Sequence, residues 1–481
     1  MGNRFQGTAT SCDSAVRDPL LLISLAFVLL TVLIVARLLR ARQGQTHIGC
    51  QLSFLAALWI SNLFAPLVYL IPGYCGIFPE LMVPGAKVCL YGLAGFAAGS
   101  FFLPKLFAAR RLKESGPAPA VPSSLRTGLL VLGILFFIAI RLGAGVPGVQ
   151  LIFSGGQQLM VVAAVLNIWE AARRKQSKRV TFWVAFGLIF PFETVVNSGF
   201  LGFGIESLAP VLIFAIACIG KRNYFRTAVL GALGLYLGMS FFVTYMRDRG
   251  EIRASVWGGD RFTNRVERLA QTIENFEWFS IKNPNHLDAI SARLNYTWLV
   301  GAGVTYMDNT KEWARGDTLK TAALGFVPRV LWKDKPQQGG SNLVTRYTGL
   351  VFSEGTSVPM GQILELYVNF GSWLVFSVYA AIGGLLAYID VVGGNALKTG
   401  AFHIFIYCFV IAQAVQHVGH EFVVVTADAA GGLIVVYCLQ QFMRMRAKRA
   451  RRTAGSRIPH PVGIGYQNMS VPVSRPRISP Y

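Results

Sequence analysis

Three short stretches near the middle of the chain bring together side chains that handle phosphate and protons: FVPRVLWKDKP at 326–336, TRYTGL at 345–350 and TSVPMGQILELYVNFG at 356–371. Arg329 lies between Pro328 and an apolar VLW run, and Arg346 precedes the turn residues Tyr347, Thr348 and Gly349. With Arg261, Arg265, Arg268, Arg293 and Arg315 they supply planar guanidinium forks, which suit phosphate or diphosphate. For any one of these arginines, solvation or a lipid headgroup contact is the competing role. Glu365 falls in the opening turn of an apolar run that starts near Ile363. A carboxylate there is costly unless paired or functional. It could take a proton from a hydroxyl or bond to Arg329 or Arg346. His417 and His420, followed by Glu421, have the i,i+3 spacing that puts both imidazoles on one helical face. They could act as base, phosphate ligand or metal pair, or pack at an interface. HxxHE is not the zincin order HExxH, so no metal site is expected. Glu193, Asp428 and Arg141 are further candidates for lining a polar cavity. No P-loop, GxSxG elbow or nucleotide-binding glycine fingerprint is present, which disfavours ATP as an energy source.

The elements that position these residues are apolar. The chain has 481 residues, 53% of them hydrophobic and 14% charged, with a mean hydropathy of +0.48. This is the composition of a multi-pass membrane protein. Apolar segments lie near 19–36, 51–71, 88–104, 127–142, 151–169, 180–199, 207–220, 227–245, 363–389, 401–418 and 422–441. The expected fold is an all-α polytopic bundle of about 11 transmembrane helices (10–12) with one large, partly helical extracytoplasmic loop. Its boundaries are 1–245 for the N-terminal bundle, 246–362 for the loop, 363–442 for the C-terminal helices and 443–481 for a basic, disordered cytoplasmic tail.

The net charge of +22 could mean nucleic acid, but the positive residues cluster at segment ends. Arg37, Arg40 and Arg42, Arg110, Arg111 and Lys113, the run 173–179 and Lys221, Arg222 and Arg226 act as topology signals. They put the N-terminus outside, the C-terminus inside and the long loop outside, and they favour an anionic membrane surface over nucleic acid. The first segment is expected to be a retained anchor, not a cleaved signal. Seven cysteines show no CxxC spacing, although Cys12 and Cys75 both fall outside and would permit one bridge. Within the loop, 261–278 is predicted to be an amphipathic helix, Tyr296 to Met307 a buried or re-entrant one, and Leu319 to Trp332 an interfacial one.

PRVLWKDKP at 328–336, TRYTG at 345–349, TSVPMG at 356–361 and ELYVNFG at 365–371 resemble the oligosaccharide repeat unit polymerases of the Wzy type. The resemblance covers the insert and the following span; elsewhere it is only a polytopic pattern. It implies a GT-C-like glycosyltransferase on the outer side of the cytoplasmic (inner) membrane. Such an enzyme moves a growing glycan from undecaprenyl diphosphate onto a new lipid-linked repeat unit, without a nucleotide sugar, a cofactor or a metal. The implied partners are lipid-linked oligosaccharide, membrane lipids, and the chain-length regulator and flippase of the same pathway. In that scheme Arg329 and Arg346, helped by Arg261, Arg265 or Arg293, stabilise the departing diphosphate. Glu365, or failing it His420 with His417, deprotonates the acceptor hydroxyl for one inverting displacement. An O-antigen-type ligase, a polysaccharide flippase or transporter and a noncatalytic scaffold are the alternatives. The long loop and the lack of paired repeats count against transport.

Overall fold

A computed structural model describes residues 14–41, 47–107, 118–142, 150–219, 224–327, 341–352 and 358–455, with Trp332 and Thr356. All regular structure among these residues is helical. The N-terminal part contains α1 (Ser14–Ala41), α2 (Cys50–Leu58) with a π turn at Trp59–Leu63, α3 (Ala65–Val68), α4 (Pro79–Phe107), α5 (Ser123–Leu142), α6 (Gln150–Arg173), α7 (Ser177–Gly187), α8 (Ile189–Ser198), α9 (Gly202–Ile219) and α10 (Tyr224–Trp257). The insert contributes α11 (Phe262–Glu274), α12 (Pro284–Arg293), α13 (Thr297–Thr310), α14 (Asp317–Ala323) and α15 (Ser341–Thr348). Then come α16 (Gln362–Thr399), α17 (Phe402–Val415) and α18 (Phe422–Gly455). Residues 1–436 form one compact unit and 437–481 a second.

Among the described residues six helical stretches are long and apolar enough to cross a membrane: Ser14–Arg40, Pro79–Phe102, Ser177–Ser198, Val229–Trp257, Gln362–Thr399 and Phe422–Met445. Shorter apolar helices cover Cys50–Leu63, Ser123–Ala139, Gly202–Cys218 and Phe402–Val415. Exposed Leu22, Leu25 and Leu29 on α1 and Leu230, Leu233 and Leu235 on α10 give outward faces that match hydrocarbon better than water.

Close helix contacts are made through glycine. A Cβ on Gly95 or Gly99 of α4 would run into the carbonyls of Phe376 or Ala380 on α16, and one on Gly383 would meet Phe96. The same device seats α13 on α4, where Gly85 faces the Thr297 carbonyl and Gly301 faces the Leu81 carbonyl. Small residues let helix backbones approach closely enough for dispersion to hold them without a hydrophobic drive. At the N-terminus of α2, the backbone N–H groups of Cys50 and Gln51 donate to Oδ1 and Oδ2 of buried Asp390 at 2.8 and 3.1 Å, so a distant carboxylate caps that helix.

Several sequence expectations change in detail. The amphipathic helix of the insert ends at Glu274, and its N-cap is Arg261. The interfacial helix expected over Leu319 to Trp332 stops at Ala323. Thr426 Oγ1 donates to the Ala322 carbonyl at 2.6 Å, and a Cβ on Gly325 would meet Thr426 Oγ1 and the Val423 carbonyl. The residues from Pro328 to Leu331 lie outside the described set, as do 456–481 of the expected disordered tail. Cys75 is disulfide-bonded. Cys50, Cys89, Cys218, Cys408 and Cys438 are free, and Cys12 lies outside the described residues.

Candidate functional site

Helix α16 is broken. Phe370 (φ −146, ψ 22) and Gly371 (φ 72, ψ −167) interrupt the helical dihedrals, and Gly371 occupies a region essentially closed to side-chain-bearing residues. Ahead of the break, Gln362 to Asn369 form a two-turn helix that is buried at every position. Both of its ends organise other segments.

At its start, the Gln362 backbone N–H donates to the Val418 carbonyl at 3.0 Å, and Gln362 Nε2 donates to the Val415 and His417 carbonyls, both at 3.1 Å. These bonds turn the 415–418 backbone toward Gln362, which is why α17 ends at Val415. His417 and His420 therefore sit in a turn and not on the helical face their spacing predicts. Their rings are nonetheless 5.7 Å apart. Glu365 Oε2 accepts from the Phe422 N–H at 2.6 Å, and Glu421 Oε1 accepts from the Met360 N–H at 3.0 Å. Glu365 is 2% exposed, so it lies beneath the turn and not at its surface.

Around the turn lies a half-buried histidine–carboxylate network. His417 Nδ1 is 3.2 Å from Asp428 Oδ2, and its Nε2 is 3.7 Å from Glu206 Oε2. His420 Nε2 is 3.7 Å from Glu206 Oε1. Both nitrogens of His417 thus face a carboxylate. Tyr296 packs against Gly361 and Gly419. Among the described residues no group of three His, Cys, Asp or Glu side chains is placed to hold a metal ion.

Beside this network lies a group of unpaired cations. Arg249, Arg253 and Arg293 are within electrostatic range of one another, and none has a carboxylate at ion-pair distance among the described residues. Arg253 stacks on Phe200 at 4.3 Å and donates from Nε to the Gly199 carbonyl at 3.1 Å. Phe200 contacts Phe203 at 5.4 Å, and Phe203 stacks on His420 at 5.9 Å. An aromatic bridge from the α8–α9 turn thus joins the arginines to the histidines. Three guanidinium groups without a carboxylate partner have the charge and the donors to bind a dianion.

At the other end of the buried two-turn helix, the loop 311–317 closes over the break. The Ala314 N–H donates to the Val368 carbonyl at 2.9 Å, the Gly316 N–H donates to Asn369 Oδ1 at 2.7 Å, and Asn369 Nδ2 donates to Thr318 Oγ1 at 2.7 Å. Trp313, Phe370 and Trp373 with Arg315 line an open cleft of about 480 Å³.

Of the residues singled out from sequence, Glu365, His417 and His420 come together, and Arg293 adjoins them through Tyr296. Arg265 turns its Nε to the Asp260 carbonyl at 2.8 Å, and Arg261 is exposed. Arg346 lies over its neighbour Tyr347 at 5.2 Å and does not pair with Glu365. Arg329 lies outside the described residues. Glu193 accepts from Asn197 Nδ2 at 3.1 Å, and the side chain of Arg141 is not described.

Residues 107–445 match the profile of DUF8712, a domain of unknown function. The chain belongs to this family. No curated protein and no solved structure matches it. Every member of the histidine–carboxylate network and of the arginine group falls inside the DUF8712 region. Helices α1 to α3 and all of α4 except Phe107 precede it.

Sequence reasoning missed Glu206, Arg249 and Arg253. Glu206 is the sole carboxylate of an otherwise apolar helix, GFGIESLAPVLIFAIACI, a signal of the same kind as Glu193. Arg249 and Arg253 are four residues apart just beyond an apolar span, which puts them on one face.

Proposed function

We propose that the chain is a membrane glycosyltransferase of the Wzy type, polymerising undecaprenyl-diphosphate-linked repeat units into a surface or exopolysaccharide. The observation that carries this is the unpaired group Arg249, Arg253 and Arg293 joined through Phe200 and Phe203 to a carboxylate-held histidine pair. A diphosphate leaving group needs the first, and an attacking sugar hydroxyl needs the second. The ELYVNFG and TRYTG motifs support the same assignment.

In the proposed reaction the acceptor hydroxyl attacks the anomeric carbon of the donor glycan while His420 takes its proton. Glu206 sets the imidazole's orientation and stabilises the imidazolium. The bond from the anomeric carbon to the diphosphate oxygen breaks with inversion, and the released charge falls on the three arginines. Arg346 and Arg329 remain candidates for the same anion. Glu365 acts here as a positioning residue, fixing the backbone at Phe422. Trp313 and Trp373 stack on a sugar ring in the cleft. We further propose that the eleven apolar segments all span the inner membrane in a GT-C-like bundle, with the N-terminus and the 246–362 loop outside.

The test is glycan electrophoresis from cells lacking the gene. A product stopped at one repeat unit, restored to a ladder by the wild-type chain but not by Arg249→Gln/Arg253→Gln, supports a polymerase. Full-length polymer stranded on its carrier would instead identify a ligase. Unchanged polymer in the deletion strain would exclude both.

A further inference from the structure

A second cavity lies where α5, α6 and α7 meet, far in sequence from the histidine turn and independent of the proposed reaction. It measures about 290 Å³, and three arginines, Arg126, Arg174 and Arg179, line it against one carboxylate, Glu170. That carboxylate is already engaged: it accepts from the Val121 N–H at 3.1 Å and from Arg174 Nε at 2.6 Å. Arg126 is anchored through Nη1 to Asn167 Oδ1 at 2.7 Å, which leaves its buried Nε without a partner. Arg179 is exposed and forms no ion pair among the described residues.

The cavity also receives the start of α7. Gln176, its N-cap, lines the cavity but makes no side-chain cap, so the N–H groups of Ser177 and Lys178 are left uncapped, while the Arg179 N–H donates to the Gln176 carbonyl at 3.1 Å. The buried Gln176 Oε1 has no donor. A helix N-terminus flanked by the unpaired Arg179 and by Arg126 and Arg174, each with donors to spare, favours a phosphate, and an unused amide oxygen favours a ligand that also carries a hydroxyl. Topology signals need only charge; they do not need a cavity with a tethered, half-satisfied arginine.

The rest of the ligand follows from the aromatic side chains. Phe182 and Trp183 form the rim, and Phe186 continues the row with ring centroids 5.3 Å apart at each step. Phe182 is 61% exposed, an outward aromatic of the kind that marks a membrane interface. The basic run 173–179 puts this end of the bundle at the cytoplasmic leaflet, where anionic lipids concentrate. We infer that this cavity is a binding site for an anionic glycerophospholipid. The phosphate lies among Arg126, Arg174, Arg179 and the α7 N-terminus, a headgroup hydroxyl donates to Gln176, and the acyl chains run along Phe182 and Phe186.

Delipidated full-length protein in detergent is titrated with phosphatidylglycerol, phosphatidylcholine or inorganic phosphate, and bound ligand is counted by native mass spectrometry. Phosphatidylglycerol is expected to bind most tightly, and Arg126→Gln and Arg179→Gln are each expected to weaken it about fivefold. Arg179→Gln is exposed and keeps the result interpretable if Arg126→Gln does not fold. Equal affinity for the two lipids, or wild-type affinity in Arg179→Gln, would overturn the site. Inorganic phosphate binding as tightly as phosphatidylglycerol would overturn the lipid as occupant.

Discussion

His417 and Asp428 are joined across the turn between α17 and α18, with Nδ1 3.2 Å from Oδ2. Glu206 faces the other nitrogen, with Nε2 3.7 Å from Oε2. Removing an imidazole that stands between two carboxylates leaves both without their partner. The denaturation midpoint of the purified protein should therefore fall in His417→Ala, and fall less in His417→Gln, whose amide can still donate to Asp428. A His417→Ala protein as stable as wild type would contradict the pairing.

The arginine group carries a second expectation. Arg249→Gln/Arg253→Gln should reduce polymer formation by about 100-fold, the scale of losing preorganised donors to a developing anion. Arg261→Gln and Arg265→Gln should stay within about twofold of wild type, because surface charges away from a site contribute little. Polymer yield per unit of membrane-inserted protein checks both.

Glu365 and His420 are separated by their conservative variants. Glu365→Gln keeps an oxygen for the Phe422 N–H and should retain most activity, whereas Glu365→Ala should lose it along with turn stability. His420→Gln should cost about 100- to 10,000-fold, the range for removing a general base. If Glu365→Gln proves as inactive as Glu365→Ala while folding normally, Glu365 and not His420 is the base.

The broken helix and its cleft can be probed separately. Gly371→Ala forces a side chain into a glycine-only region and should cost about 1–3 kcal/mol, visible as a lower denaturation midpoint. Trp373→Ala leaves the backbone intact and should raise the acceptor KM with little change in kcat. Equal losses in both constants would remove the cleft from acceptor binding.

Much of the helical frame was legible because apolar length is a direct signature of helices that must satisfy their backbone bonds internally. The insert's apolar run Tyr296 to Met307 was likewise readable as a buried or re-entrant helix, since it is too short to span, and α13 covers Thr297–Thr310. What could not be read is where side chains close a helix. Thr426 bonds the Ala322 carbonyl where α14 ends at Ala323, and Gln362 bonds the Val415 carbonyl where α17 ends; both act from more than 50 residues away. The same long-range closure hid the candidate site. Glu365 looked like an interfacial base in isolation, but only the packed turn shows its oxygen committed to Phe422. Glu206, Arg249 and Arg253 gain meaning only when α9, α10 and the 417–420 turn come together.

The most direct measurement is incubation of the purified protein with undecaprenyl-diphosphate-linked repeat units, without added nucleotide, followed by gel analysis of the lipid-linked glycan. A ladder from the wild-type protein, absent from His420→Gln and from Arg249→Gln/Arg253→Gln, is the expected result. Unconsumed single repeats with folded wild-type protein, or an undiminished ladder from both variants, would contradict it.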